Sequence, residues 1–153
     1  MSLTYTKATL HDIDAMQELV RPEVESGKIL ERASDEIATN IRSYLLAKEG
    51  DRLVGFGALH IHSPTLAEIR SLIISPDYRG RGIGGTIVRM LLEEAKALRI
   101  ARVFTLTYEK SFFEKLGFRE IPKSELPEHK IWADCIKCKL FPVCNEIALI
   151  IDI

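Results

Sequence analysis

Three features of the sequence predict an α/β domain with a mixed, mostly antiparallel sheet and one parallel strand–helix–strand crossover. The first is the stretch from Leu66 to Leu98, which opens as an apolar strand, breaks at Ser75-Pro76-Asp77, crosses a glycine-rich turn and continues as a helix. The second is the run Arg102–Thr107 directly after that helix, since strand, helix and strand in that order imply parallel neighbours joined by a right-handed crossover. The third is Glu49-Gly50-Asp51 between two apolar runs, the pattern of a β-hairpin. At 153 residues the chain suits one domain, residues 1–153, which would bury about 70% of its unfolded surface.

The elements follow in order. Leu3 to Ala8 alternates weakly and suits a first strand. Thr9 stands three residues before Asp12, a capping-box spacing for a helix carrying Ile13, Met16, Leu19 and Val20 inward, which Pro22 should stop or bend. The mixed stretch from there to Arg32 reads as a loop or a short helical piece. Ser34 can cap a second helix, with Asp35 and Glu36 in its first turn and Ile37 and Ile41 inward. Tyr44–Lys48 and Leu53–Ile61 form the hairpin, where Gly55 and Gly57 share a face and permit close backbone approach. In the long helix Ile83, Ile87, Met90, Leu91, Ala95 and Leu98 recur at steps of three and four, so they should form its apolar face. Lys110–Leu116 is a short helix with Phe112, Phe113 and Leu116 inward, and Gly117-Phe118 ends it. Pro122 and Pro127 flank a polar loop, and Ile147–Ile151 is the last strand.

Composition narrows the function classes. A formal charge of −1 offers no global attraction for nucleic acid or an anionic membrane, and leaves little self-repulsion against a homodimer. No apolar run approaches the ~18 residues of a spanning helix, and the N-terminus carries no apolar leader core. Three cysteines cannot all pair within one chain, so a cytoplasmic, reducing setting is expected.

A strand, a glycine turn and a helix start make an anion site, because the first N–H groups of a helix lack intrahelical partners and its dipole favours negative charge. Arg79 and Arg81 add guanidinium groups suited to phosphate. Gly80, Gly82 and Gly84 alternate, but no acidic residue closes a second strand about 20 residues on, as the dinucleotide fingerprint requires, and no lysine follows the glycines, as a P-loop requires. Arg79-x-x-Gly82-x-Gly84 after a strand ending in Ser-Pro resembles the coenzyme A pyrophosphate loop of the GCN5-related N-acetyltransferases. Phe113-Glu114-Lys115-Leu116-Gly117-Phe118 is similar to a second signature of that family, found after its fifth strand. Four further stretches resemble the acetyltransferase domain of the amino-acid N-acetyltransferases of arginine biosynthesis: Leu19-Val20-Arg21-Pro22, Ile29-Leu30-Glu31-Arg32, Ala67 to Leu72 and Leu126-Pro127-Glu128. The resemblance implies that fold, acetyl-CoA as co-substrate, a small-molecule amine as acceptor with L-glutamate foremost, and a short form without the amino-acid-kinase domain of longer members. It also implies coenzyme A contacts from Leu72, Ile73 and Ile74, from Arg79, Gly80, Arg81, Gly82, Ile83 and Gly84, and from Phe113.

Acetyl transfer from a thioester to an amine needs a base, an oxyanion donor and a proton for the leaving thiolate. Glu68 is the candidate base, because a carboxylate in an otherwise apolar strand is costly unless paired or used, and burial would bring its pKa toward the working range. A same-face ion pair with Arg70 is the competing reading. A backbone N–H between Ser71 and Ile74 would serve the oxyanion, by resemblance. Many relatives carry a tyrosine where this chain has Phe113, so Thr107, where glutamate-acetylating relatives have a serine, is the candidate hydroxyl near sulfur and Tyr108 its alternative. By the same resemblance Arg21 would hold the acceptor's carboxylate, with Arg32 and Arg70 helping, against the alternative of a solvated arginine at a helix end.

Cys135-x2-Cys138-x5-Cys144, with His129, Asp134 and Glu146 around it, could hold zinc, although four certain ligands are lacking and reduced thiols or a local disulfide are the alternatives. His60 and His62 share a strand face and read as exposed residues, and Trp132 reads as a packing residue. A coenzyme-A-binding sensor, or an acetyltransferase acting on another small amine or a protein N-terminus, stands as the rival to amino-acid acetylation.

Overall fold

A computed structural model describes residues 2–126 and 146–153. Among the described residues a seven-stranded sheet carries four α-helices: β1 Leu3–Lys7, α1 Ile13–Glu25, α2 Ser34–Thr39, β2 Tyr44–Glu49, β3 Arg52–Ser63, β4 Leu66–Ile74, α3 Ile83–Ala97, β5 Arg102–Thr107, α4 Lys110–Lys115, β6 Arg119–Ile121 and β7 Ile147–Asp152. The strand order is β1-β2-β3-β4-β5-β7-β6, and every pair is antiparallel except β4 with β5. The expected mixed sheet with one parallel crossover is what the chain forms. The zinc-like cysteine cluster and Trp132 lie outside the described residues. Among the described residues no helix is long and apolar enough to cross a membrane.

Both junctions that shape the site come from β4. Its parallel ladder with β5 covers Leu66↔Arg102, Ala67↔Val103 and Glu68↔Phe104, after which the strands part. Thr105 takes over at the fork, its buried hydroxyl donating to the Ile69 carbonyl at 2.8 Å. On the other side, Phe56 pairs with Ile73 but Ala58 with Arg70, so Ser71 and Leu72 form a bulge. Ser71 sits at φ 59°, in the left-handed region that a residue with a side chain adopts only under local constraint. A bulge bends its strand, and here it carries the end of β4 away from β5.

Glycines make the close packing expected of them: a Cβ on Gly55 would lie 2.7 Å from Ile74 Cδ1, and one on Gly57 3.1 Å from Ile87 Cγ2. The first turn also begins as the spacing implies, with the Thr9 N–H donating to Asp12 Oδ2 at 2.8 Å.

Some local expectations do not hold. Helix α1 runs through Pro22 to Glu25, so the proline does not stop it there. Ser34 is inside α2 after an Ala33 cap, and its hydroxyl donates to Gln17 Oε1 instead. On α3 the buried face comprises Ile83, Ile87, Val88, Leu91, Leu92 and Ala95, whereas Met90 and Leu98 are exposed at 39% and 51%. The apolar stripe is wider than one sheet can cover, and Val88 and Leu92 fall on the covered side.

Candidate active site

The glycine turn is built by backbone. After β4, Pro76–Tyr78 forms a single tight turn, and Gly80 and Gly82 follow at φ 79° and 82°, a conformation glycine adopts without strain. Gly82 caps α3, with the Thr86 N–H and hydroxyl both donating to its carbonyl. The N–H groups of Ile83, Gly84 and Gly85 therefore lie in the first turn of a fifteen-residue helix, and all three residues line the groove beside it. Arg79 lines that groove too, its Nε donating to the Ile74 carbonyl at 3.1 Å and its guanidinium 3.7 Å from Glu23 of α1. Arg81 does not. Its guanidinium lies 4.8 Å above the Tyr78 ring, so the expected second phosphate cation is held by an aromatic face instead. Tyr78 is itself anchored by its hydroxyl to Glu49 at 2.5 Å, a bond that raises the phenol's pKa above the ordinary 10.0.

The groove follows the fork between β4 and β5, with a volume of about 710 Å³. Glu68, Arg70, Leu72, Ile73, Ile74, Thr105, Thr107, Tyr108 and Phe113 line it together with the glycine turn. Glu68 is 1% exposed, and its Oε1 is 2.9 Å from His62 Nε2. Glu68 thus has an imidazole partner, and His62 is not exposed as expected, since its side chain is 3% accessible. The reason is alternation: His60 pairs with Glu68 in register, and His62 follows two residues along the same face, where its ring stacks on Phe104 at 5.3 Å. Thr107 accepts the Glu109 N–H at 2.9 Å, which orients its hydroxyl at the end of β5. Phe113 is buried edge-on to Phe112 and Phe118 and offers hydrocarbon only.

A second cavity of about 420 Å³ lies between α1, the loop before α2 and the sheet. Arg21, Arg32, Tyr44 and Ser71 line it, and Ile29, Leu30, Arg32 and Ser71 line the groove as well, so the two adjoin at the bulge. Arg32 is held by Glu36 at 2.8 Å with its side chain 10% exposed, whereas Arg21 is exposed and pairs with Glu18 at 2.7 Å. Burial pushes the Tyr44 phenol up from its ordinary pKa, against the opposing pull of the Arg32 and Arg70 charges.

The site residues to which the sequence assigned no role are His62, Tyr44 and Thr105. His62 had a signal, because the tight Ser63–Leu66 turn makes Glu68 and the two histidines near neighbours. Tyr44 and Thr105 carry no motif.

The groove at the fork of the sheet thus has a glycine turn and helix start on one side and a buried carboxylate on the other. Residues 10–118 match the model of the acetyltransferase (GNAT) family. The chain belongs to that family, as an N-acetyltransferase that uses acetyl-CoA.

It is 34% identical, over 94% of its length and 92% of the relative's, to an uncharacterized N-acetyltransferase of Chlorobaculum tepidum. It is 38% identical, over 75% of its length and 67% of the relative's, to an amino-acid acetyltransferase of Mycobacterium tuberculosis. Against the longer amino-acid acetyltransferase of Pasteurella multocida the match is 28% identical and spans 30% of that protein. Among solved structures, a Mycobacterium tuberculosis protein in complex with CoA and NLQ superposes with a TM-score of 0.81 at 26% identity, covering 98% of this chain and 99% of that one. The N-acetylglutamate synthase of Neisseria gonorrhoeae, complexed with coenzyme A and N-acetyl-glutamate, superposes with a TM-score of 0.88 at 23% identity, over 99% of this chain and 35% of that one, and shows the shared fold.

Proposed function

We propose that this chain acetylates the α-amine of an acidic amino acid, L-glutamate foremost, as the acetylation step that opens arginine biosynthesis. The observation that carries the reading is the cationic cavity of Arg21 and Arg32, with Arg70 beside it, adjoining the groove that holds Glu68. Guanidinium forks suit carboxylates, and a dicarboxylate acceptor offers two. The named amino-acid acetyltransferase of Mycobacterium tuberculosis supports the same reading.

Glu68 takes one proton from the acceptor's ammonium, leaving a neutral amine. The amine nitrogen then forms a bond to the thioester carbon, and a backbone N–H from the bulged stretch Ser71–Ile74 stabilises the oxyanion. As the C–S bond breaks, the nitrogen's second proton ends on the thiolate, relayed through the Thr107 hydroxyl or, alternatively, through Tyr108. The first proton leaves Glu68 for solvent. The turn from Arg79 to Gly84 holds the pyrophosphate chiefly through backbone N–H groups, with Arg79 as its cation. Leu72, Ile73 and Ile74 present the strand edge to the pantetheine arm, and Phe113 packs against it.

The test is coenzyme A release from acetyl-CoA across the twenty amino acids and a set of polyamines, with Glu68→Gln as the blank. Release confined to glutamate is the expected result. Silence across the panel with acetyl-CoA still bound would replace this reading by a macromolecular acceptor or a coenzyme-A sensor.

A further inference from the structure

The face of the sheet that carries Glu68 holds one contact that acetyl transfer as described above does not use. His62 Nε2 and Glu68 Oε1 are 2.9 Å apart, and both side chains are nearly inaccessible, at 3% and 2%. The imidazole is fixed on two sides: stacked on Phe104 at 5.3 Å and 29°, and edge-on to His60 at 4.8 Å. Phe104 is the residue paired with Glu68 in the last rung of the β4–β5 ladder, so the pair sits where the strands part and the groove begins. Two lone pairs cannot face each other at this separation, so a proton lies between the nitrogen and the oxygen. If it belongs to Glu68, the carboxyl is a neutral acid and takes an amine's proton only by passing its own to the imidazole. If it belongs to Nε2, an ionised carboxylate is held by a charge-assisted bond in a site where an ion without a donor would be costly.

We propose that His62 is a positioning residue for Glu68: its Nε2–H donates to Oε1, fixing the carboxylate's orientation and keeping it ionised at the mouth of the groove. The inference rests on the reading of Glu68 as the base. Stacking on Phe104 sets the ring plane, and the strand pairing of His60 with Glu68 sets the distance, so the donor is in place before any substrate arrives.

Two experiments test it. The first needs no acceptor: long-range proton–nitrogen correlation spectra of the whole chain, assigned with His62→Gln, should show Nε2 of His62 carrying the proton at neutral pH. A bare Nε2 with the proton on Nδ1 would overturn the proposal. The second uses the amine that the wild-type chain acetylates fastest in the panel above. In His62→Gln the amide nitrogen reaches the same place, and kcat should stay within about threefold. In His62→Asn the donor stops short, and kcat should fall about 10- to 100-fold with the KM for acetyl-CoA unchanged. Introduced into Glu68→Gln, His62→Asn should lower kcat no further, because it acts through that carboxylate. Equal rates for the Gln and Asn variants, whether both fast or both slow, would also overturn it. An inactive Glu68→Gln beside a fully active His62→Asn would sink the His62 inference alone. A fully active Glu68→Gln would sink the base reading, and the role of His62 with it.

Discussion

The two faces of the sheet are built on different terms. Under α3 one apolar cluster crosses the sheet without a break, from Leu45 and Ala47 on β2 through Val54, Leu59, Ala67, Ile69 and Val103 to Leu149 on β7. On the opposite face the apolar residues form two separate clusters, one under α1 around Met16, Tyr44, Leu46 and Phe56, the other around Phe104, Ala148 and Ile150. Between them lie His60, His62, Glu68 and Arg70, which share that face of β3 and β4. Burying polar groups there forgoes hydrophobic stabilisation and demands partners for each one. Continuous apolar area secures the fold on one side, and the interruption on the other is where the candidate chemistry sits.

The largest effect expected from this contrast is on rate without stability. Glu68→Gln should lower kcat by about 10²- to 10⁴-fold, the usual contribution of a positioned base, while the denaturant midpoint stays equal or rises. A clear loss of stability would mean that the Glu68 carboxylate is chiefly structural and would erase the contrast. Next comes its mirror image. Leu91→Ala, at a fully buried position of α3, should cost about 3–5 kcal/mol in urea unfolding, with the turnover of the molecules that remain folded unchanged. Reduced turnover of the folded fraction would show that the α3 face reaches into catalysis through the glycine turn. Third, Arg21→Ala should raise the acceptor's KM about tenfold and leave that for acetyl-CoA alone, as the loss of one exposed carboxylate clamp would. An unchanged acceptor KM would remove Arg21 from the site.

The same contrast explains what could be read from the chain alone. The α3 face was legible because its determinants are local: the helix period, the glycine turn and the following strand all lie within residues 66–107. Even there, Met90 and Leu98 had the right period but stand outside the area the sheet covers. Glu68 stood out from sequence because a charge in an apolar strand has few bland explanations. Its partner His62 did not, since only the β3–β4 register brings the two side chains together. Arg79 and Arg81 look equivalent in sequence. They differ in structure because Tyr78, anchored to Glu49 across the hairpin, offers one of them an aromatic face. The adjoining cavity depends on a bulge at Ser71, and neither a left-handed serine nor the fork it helps to open is encoded by residue type.

The smallest effect concerns how α1 is held over the second face. At the entrance to that helix Asp12 accepts from Lys48 on β2 at 2.8 Å and from the Thr9 N–H. Burial works to raise the Asp12 pKa, but the bonds from Lys48 and Thr9 outweigh it and hold the carboxyl below the ordinary 3.8. A carboxyl with a depressed folded-state pKa contributes stability at any pH above its unfolded value, and that contribution is lost as the pH falls through the folded value. The melting temperature of the wild-type chain should therefore exceed that of Asp12→Asn by a constant amount from neutral pH down to about 4, and the two should converge below that. After solvent screening the gap is worth under about 1 kcal/mol. Convergence at higher pH would place the acid sensitivity of the α1 face in some other carboxylate, with Glu36 beside Arg32 the next to substitute. A gap that persisted undiminished into strong acid would mean that α1 is held at this end by packing, as α3 is, and that the two faces differ only in the strip around Glu68.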